Sequence, residues 1–175
     1  MMMLVQAPTP PTVEEGLIRA AAQGDRAAFG ELYSRYARMV HGILLARVPP
    51  GEAEDLVQDV FLAAMKQLGG LRTAGAFPGW LAAMARNRAM DYFRAARNRA
   101  TLDERTARGQ AGDGGAGAFE VLELIRSLPE AYRETLILRL VEGMTGPEIA
   151  ARTGLTPESV RVNLCRGMKM LRRLL

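Results

Sequence analysis

Residues 144–175 read MTGPEIAARTGLTPESVRVNLCRGMKMLRRLL, and the order of caps and breakers in this stretch decides the architecture of the second half of the chain. Thr145 and Glu148 have the T-x-x-E spacing of a capping box, in which each side chain satisfies a backbone N–H beside the other. Pro147 stands in the first turn, where its missing N–H would have had no partner anyway. A helix therefore starts after Thr145. Gly154 suits the left-handed turn that ends a helix, and Thr156 followed by Pro157 caps and starts the next one. Two helices joined by three or four residues make a helix-turn-helix. Its core is expected to hold Ile149, Ala150, Leu155, Val160 and Leu164, with Glu158, Ser159, Arg161, Asn163, Arg166 and Lys169 exposed on the second helix. Arginine and asparagine on such a helix make bidentate contacts to guanine and adenine in the major groove, and the later bases suit phosphates. An ordinary helical hairpin with a solvated basic face carries similar charges, so the rest of the chain has to discriminate.

Upstream of this motif, Val121, Leu122, Leu124 and Ile125, then Tyr132, Leu136, Ile137, Leu140 and Val141, recur at helical spacing and predict two more helices. Over residues 100–118 the periodicity disappears. Gly109, Gly112, Gly114, Gly115 and Gly117 crowd into nine positions there, which is the composition of a flexible linker. About twenty such residues have an r.m.s. span of roughly 25 Å and an extended reach of roughly 65 Å, enough for the flanking domains to occupy separate sites.

The first half shows the same helical period. Phe29, Leu32, Tyr33, Tyr36, Val40, Ile43 and Leu44 form one core-facing stripe, which Pro49, Pro50 and Gly51 end. Leu56, Val57, Val60, Phe61, Ala64, Met65 and Leu68 form a second, ended by Gly69 and Gly70. A turn-rich segment, residues 71–79, leads to a third helix over about residues 80–97, with Trp80 read as core. The expected fold is all-α: two small helical domains joined by a flexible Gly-rich linker, the C-terminal one a helix-turn-helix. The divisions are a tail and helix start over residues 1–24, a domain over 25–99, the linker over 100–118 and a second domain over 119–175.

Charge is segregated along the chain. The net charge is +4 and the isoelectric point about 9.7. Residues 52–62 carry Glu52, Glu54, Asp55 and Asp59 and no base, whereas residues 86–108 carry seven arginines against three acids, and the last fifteen residues carry five bases and no acid. This favours two basic nucleic-acid surfaces and one acidic protein-facing surface. Cys165 is the single cysteine and His41 the single histidine, which excludes an intramolecular disulfide and a Cys/His zinc cluster. A reducing cytoplasm fits. The first thirteen residues lack a basic n-region and read as a disordered tail, and no stretch is apolar for long enough to span a bilayer. Asp55 and Asp59 are paired carboxylates without a third ligand, so the chain reads as a binding protein, not an enzyme, with no cofactor or metal.

AEDLVQDVFLAAMKQL (residues 53–68) and FPGWLAAMARNRAMDYFRAARNR (residues 77–99) resemble the second domain of bacterial RNA polymerase sigma factors. LPEAYRETLILRLVEGMTGPEIAARTGLTPESVRVNLCRGMKML (residues 128–171) looks like their fourth domain. With two domains and a short linker in place of a third, the chain is similar to the extracytoplasmic-function (ECF) subfamily. The resemblance implies a transcription initiation factor that binds core RNA polymerase and directs promoter recognition and melting, with an anti-sigma factor as a candidate further partner. The alternative is a stand-alone helix-turn-helix regulator, which would bind promoter duplex without polymerase.

By this resemblance the helix over residues 54–61 docks on the clamp helices of the polymerase largest subunit through Asp55, Gln58, Asp59 and Phe61. On that segment alone a solvated acidic surface is the simpler account. Arg86, Asn87, Arg88, Asp91 and Arg94 match the positions around the minus-ten element, held as a melted single strand, where arginines follow phosphates and Asn87 reads a base edge. The loop over residues 71–77 is the candidate pocket for an unstacked base. Ser159, Arg161, Asn163, Arg166 and Lys169 match positions facing the minus-thirty-five duplex. Val162, Asn163 and Cys165 stand where serine, arginine and histidine are frequent in the family, so a distinct promoter is expected.

Overall fold

The computed structural model describes residues 12–100 and 116–175. Among them all regular structure is helical: α1 (Val13–Ala22), α2 (Arg26–Leu45), α3 (Pro50–Gln67), α4 (Phe77–Ala100), α5 (Ala116–Ser127), α6 (Glu130–Leu140), α7 (Gly146–Thr153) and α8 (Pro157–Leu171). Short 3-10 turns at Leu68–Gly70 and Ala74–Ala76 lead from α3 into α4. No helix among the described residues is long and apolar enough to cross a membrane.

Local chemistry sets most of the helix ends. Thr12 and Glu15 form a capping box at the start of α1, a helix that lies where only a tail and helix start were expected. The first eleven residues of that tail lie outside the described residues. The Asp25 carboxylate accepts from the backbone N–H groups of Ala27 and Ala28 at 2.8 and 3.1 Å and so starts α2. Pro50 is the first residue of α3, so the Pro-Pro-Gly run that ends one helix also begins the next. α4 is longer than predicted, because Phe77 is its first residue and not part of a loop. Phe77 is fully buried and meets the Tyr36 ring edge-on at 5.1 Å; Trp80, read as core, is half-buried beside it. Ala100 still belongs to α4 and α5 begins at Ala116, inside the span read as linker, while residues 101–115 lie outside the described residues.

α2 is the central helix of the first half. Leu32, Tyr36, Met39, Val40, Ile43 and Leu44 are buried, and α3 covers them with Leu56, Val57, Val60 and Phe61. Ala82, Ala85 and Ala89 give α4 a small-residue face that lets its backbone come close to the same core. Tyr33, expected in the stripe, is instead 40% exposed, and Met65 is also at the surface. In the second half the helix-turn-helix forms as read. The Thr145–Glu148 box is present, Gly154 has φ +75°, and Thr156 accepts from the Ser159 N–H. Ile149, Ala150 and Val160 are buried, with Leu155 and Leu164 half-buried against them.

The halves do not stand apart as the linker reading allowed. They share one continuous apolar core, in which α6 lies on α2 and α7 lies on α4 and α2. α6 shows this directly: Glu134, Thr135, Leu136, Ile137 and Leu138 are five consecutive buried residues, the pattern of a helix covered on all sides. Leu140 and Val141, expected in its apolar stripe, are exposed. Two glycines permit the approach. A β-carbon on Gly42 would stand 2.6 Å from Leu138 Cδ2, and one on Gly154 would stand 3.1 Å from the Cα of Gly79.

His41 of α2 joins the halves through Glu142, which lies just beyond α6, with Nδ1 to Oε1 at 2.7 Å. The Glu142 hydrogen bond raises the imidazole above its ordinary value of 6.5, against burial, and the charges of Glu142 and Glu54 add to the rise. Arg38 also faces the Glu142 carboxylate, at 3.9 Å. A raised folded value means that this contact stabilises fully below the ordinary histidine pKa and is lost as pH rises through the folded one.

Two outcomes follow. The single histidine makes the proton titration by NMR unambiguous: His41 should titrate above 6.5 and return toward it in Glu142→Gln, and a midpoint at or below 6.5 in the wild type would contradict the pairing. Gly154→Ala should lower stability in chemical denaturation by about 1–2 kcal/mol from the left-handed backbone alone.

Candidate functional site

Three surfaces gather the residues singled out in the sequence. The first is the outer face of α3. Asp55 and Gln58 are exposed on it, as expected, and Asp59 lies half-exposed one step round the helix. Phe61 departs from the expectation. It is 3% exposed, its ring packed against Phe29 and Tyr33 at 6.3 and 4.6 Å, so it supports this face from beneath and lines the groove there. The apolar surface beside the acids comes instead from Tyr33, Leu62 and Met65, which border a shallow groove with Gln58. The helical spacing of Leu62 and Met65 with Gln58 was the available signal.

The second surface is a cleft of about 490 Å³ between α3 and α4, lined by Asp59, Lys66, Gln67, Met84, Asn87, Arg88 and Asp91 among others. Asn87, Arg88, Asp91 and Arg94 are exposed on its α4 side, with Arg94 donating to Asp91 at 3.2 Å. Arg88 donates to the Asp59 carboxylate across the cleft. Asp59 therefore belongs as much to this cleft as to the acidic face with which it was grouped. At the loop over residues 71–77, Phe77 points into the core and is fully buried. Of the two aromatics further along α4, Tyr92 is half-buried against the core and Phe93 is 46% exposed.

The third surface is the outward stripe of α8. Glu158, Arg161, Val162, Cys165, Arg166 and Lys169 are all exposed, at the three- and four-residue spacing of one helix face. Ser159 is exposed at its start, where its hydroxyl meets that of Thr156 at 2.9 Å. Asn163 is not on this stripe. It is half-buried and lines a recess with Arg47, Arg86, Glu130, Glu134 and Thr135, because two positions from Arg161 is halfway round a helix. Val162 and Cys165 take the central outward places instead.

Arg86 is the other residue drawn away from the surface where it was expected. It donates twice to the Glu134 carboxylate, Nη2 to Oε1 at 2.6 Å and Nε to Oε2 at 3.1 Å. Arg47 donates to the same carboxylate at 2.6 Å and to Glu130 at 2.7 Å. Burial alone would raise the Glu134 carboxyl, but the Arg86 hydrogen bond and the charges of Arg47 and Arg86 outweigh it and hold the group below the ordinary carboxylate range. Glu134 is thus ionised and paired twice, across the boundary between the halves. Its partners lie 87 and 48 residues away, so no local pattern could have marked it.

Residues 32–99 match the family model described as Sigma-70 region 2, and residues 118–171 that described as Sigma-70, region 4. The chain is 33% identical over 159 residues to the RNA polymerase sigma factor CarQ of Myxococcus xanthus, spanning 87% of this chain and 91% of that protein. It is 28% identical over 175 residues to the ECF RNA polymerase sigma-E factor of Escherichia coli, spanning 90% and 92%. A solved structure of CnrH in complex with the cytosolic domain of CnrY is similar with a TM-score of 0.62 and 27% identity, over 92% of this chain and 96% of that one. The chain therefore belongs to the sigma-70 family of RNA polymerase sigma factors, of the ECF type, which act in transcription initiation.

Proposed function

We propose that this protein is a dissociable subunit of bacterial RNA polymerase, which docks on the core enzyme through α3, holds the minus-ten element through α4 and reads the minus-thirty-five element through α8. The observation that carries the reading is the separation of three chemically distinct faces on one helical frame: an acidic face edged with apolar groups on α3, a polar cleft beside α4, and a basic outward stripe on α8. None of the three steps needs a reacting group from this chain. Each needs a shape and a charge held in place.

Asp55 and Gln58 present acceptors beside Tyr33, Leu62 and Met65, which suits a partner helix that is basic on one side and apolar on the next. The clamp helices of the largest subunit are the proposed partner. In the cleft, Asn87 has both a donor and an acceptor for the Watson–Crick edge of an unstacked base, and Arg88 and Arg94 flank it for phosphates. On α8, Arg161 and Arg166 sit one turn and a half apart with Val162 and Cys165 between them. That stripe presents two guanidiniums for base edges or phosphates around a soft centre, and Lys169 reaches the backbone beyond. Action within the cytoplasm and control by an anti-sigma factor belong to the same proposal, the latter in line with CnrH having been solved bound to a second protein, the cytosolic domain of CnrY.

Reconstitution tests it. Purified protein mixed with core polymerase should give a stable complex that starts transcription at specific sites in a genomic promoter library. Binding to promoter duplex without any complex with core would favour the stand-alone regulator. Within the complex, Arg166→Ala should weaken use of minus-thirty-five variants by roughly 1–3 kcal/mol if the contact is to a base, with the sequence preference relaxed at one position. Asp55→Lys should slow association with core and flatten its salt dependence while leaving the helical circular dichroism unchanged; unaltered association would remove the acidic face from docking.

A further inference from the structure

We propose that α8 reads its duplex through the middle line of its outward face: Val162, backed by Cys165, recognises a thymine by its 5-methyl group, and Glu158, one turn earlier, accepts from the amino group of a cytosine about two base steps away. The inference deepens the minus-thirty-five reading of α8 proposed above and rests on it.

Helix geometry separates a midline from its flanks. At about 100° per residue, Glu158, Val162, Cys165 and Lys169 project within about 60° of one another. Arg161 and Arg166 project to opposite sides of that line, about 140° apart, toward the walls of a groove that the helix enters. None of the six makes an ion pair or a side-chain hydrogen bond among the described residues, so the whole face is available to a partner. The roll of the helix is fixed from behind. Val160, Gly167 and Leu171 are buried on the opposite side, and Gly167 is seated so closely that a β-carbon there would stand 2.9 Å from Leu136 Cδ1 and 3.1 Å from Tyr132 Cβ. With that seat occupied, the midline points outward and the arginines stay on its flanks.

The chemistry of the midline then limits what it can read. Phosphates repel a carboxylate, so Glu158 fits a duplex only over base edges, where an amino group can donate to it. Guanine offers only acceptors in the major groove, thymine a single acceptor, and adenine an acceptor beside its amino group. Cytosine offers the amino donor alone, and it is the base that suits a carboxylate. Val162 is 37% exposed and has no polar side-chain atom, so it gives nothing to a polar base edge. Thymine is the one base that presents a methyl group there, and contact with it removes apolar surface of both from water. Cys165, exposed on the next turn, adds a small and weakly polar surface to the same contact. Glu158 and Val162 are four residues apart, about 6 Å along the helix, which is about two steps of duplex at roughly 3.4 Å each.

Holoenzyme reconstituted with core polymerase selects active upstream elements from a randomised promoter library. Each thymine of the selected element is then replaced in turn by deoxyuridine, which deletes the methyl group and leaves base pairing intact. At one thymine this should weaken holoenzyme binding about fourfold, the effect of burying one methyl-sized group. In Val162→Ser, an exposed change that should leave the helical circular dichroism as it was, the same replacement should make no difference. Glu158→Gln should exchange the selected cytosine for adenine, whose N6 and N7 match an amide. Equal binding of thymine and uracil elements at every position, or a uracil effect undiminished in Val162→Ser, overturns the methyl contact. A selected element without cytosine, or one unchanged in Glu158→Gln, overturns the carboxylate contact. If no complex with core forms, the selection and the uracil series are run on duplex with the protein alone. A uracil effect that disappears in Val162→Ser would then uphold the methyl contact and overturn the polymerase reading, and no duplex binding at all would overturn both.

Discussion

An α-helix leaves its last four carbonyls without partners, and α2 ends in the interior, where water cannot supply them. Backbone N–H groups of the next turn meet Gly42 O and Leu44 O, and arginines serve the rest and the carbonyls just beyond. Arg47 donates to Ile43 O, Arg126 to Leu45 O and Val48 O, and Arg133 to Ala46 O. Three guanidiniums at the negative end of one helix dipole also complement its field. Two of them come from α5 and α6, so the end of the central helix of one half is completed by the other. The position of α6 follows from this, and with it the burial of Glu134, the contact of Leu138 with Gly42, and the seat of α7 on α4. Arg152 of α7 extends the arrangement by donating to Arg35 O and lying over the Tyr36 ring at 4.6 Å.

The sequence was most legible where a structure is specified by neighbours in the chain. The caps at Thr145 and Thr156, the turn at Gly154 and the apolar stripes of α2 and α3 are local devices, and they lie where they were read. Before residue 25 only a tail and a helix start were legible, because Thr12 and Glu15, which cap α1, follow a proline-rich stretch. It placed Leu140 and Val141 inside α6 and overlooked Glu134 and Thr135, since it assumed one apolar face and one wet one. A helix between two layers has no wet face, and its polar residues are legible only through partners on other elements. Thr135 bonds back to its own helix, at 3.0 Å to Tyr132 O, and Glu134 reaches across the chain.

The proposed site residues divide along the same line. Asp55, Gln58, Arg161 and Arg166 needed only helical spacing to be placed outward. Phe61 and Arg86 were assigned by resemblance to a family and Asn163 first by helical spacing, and each turns toward a contact inside the fold: the Phe29–Tyr33 cluster, Glu134, and the recess beside it. Asp59 shows a further point. Its pairing with Arg88 ties α3 to α4 at the rim of the cleft, so one carboxylate is shared between two of the proposed surfaces.

The meeting of Gly79 with Gly154, and of Gly42 with Leu138, bears on how freely such proteins can exchange parts. Either half matches a separate family model and so resembles a module that could be transplanted between relatives. In this molecule the two are fitted to one another at places where an added methyl group would crowd its neighbour. A transplanted half would bring its own side chains to those places, and a chimaera could keep every reading residue yet lose the fit between its parts. Divergence in one half is therefore answerable to the other, and compatibility across this seam limits which combinations of promoter specificity the scaffold can hold.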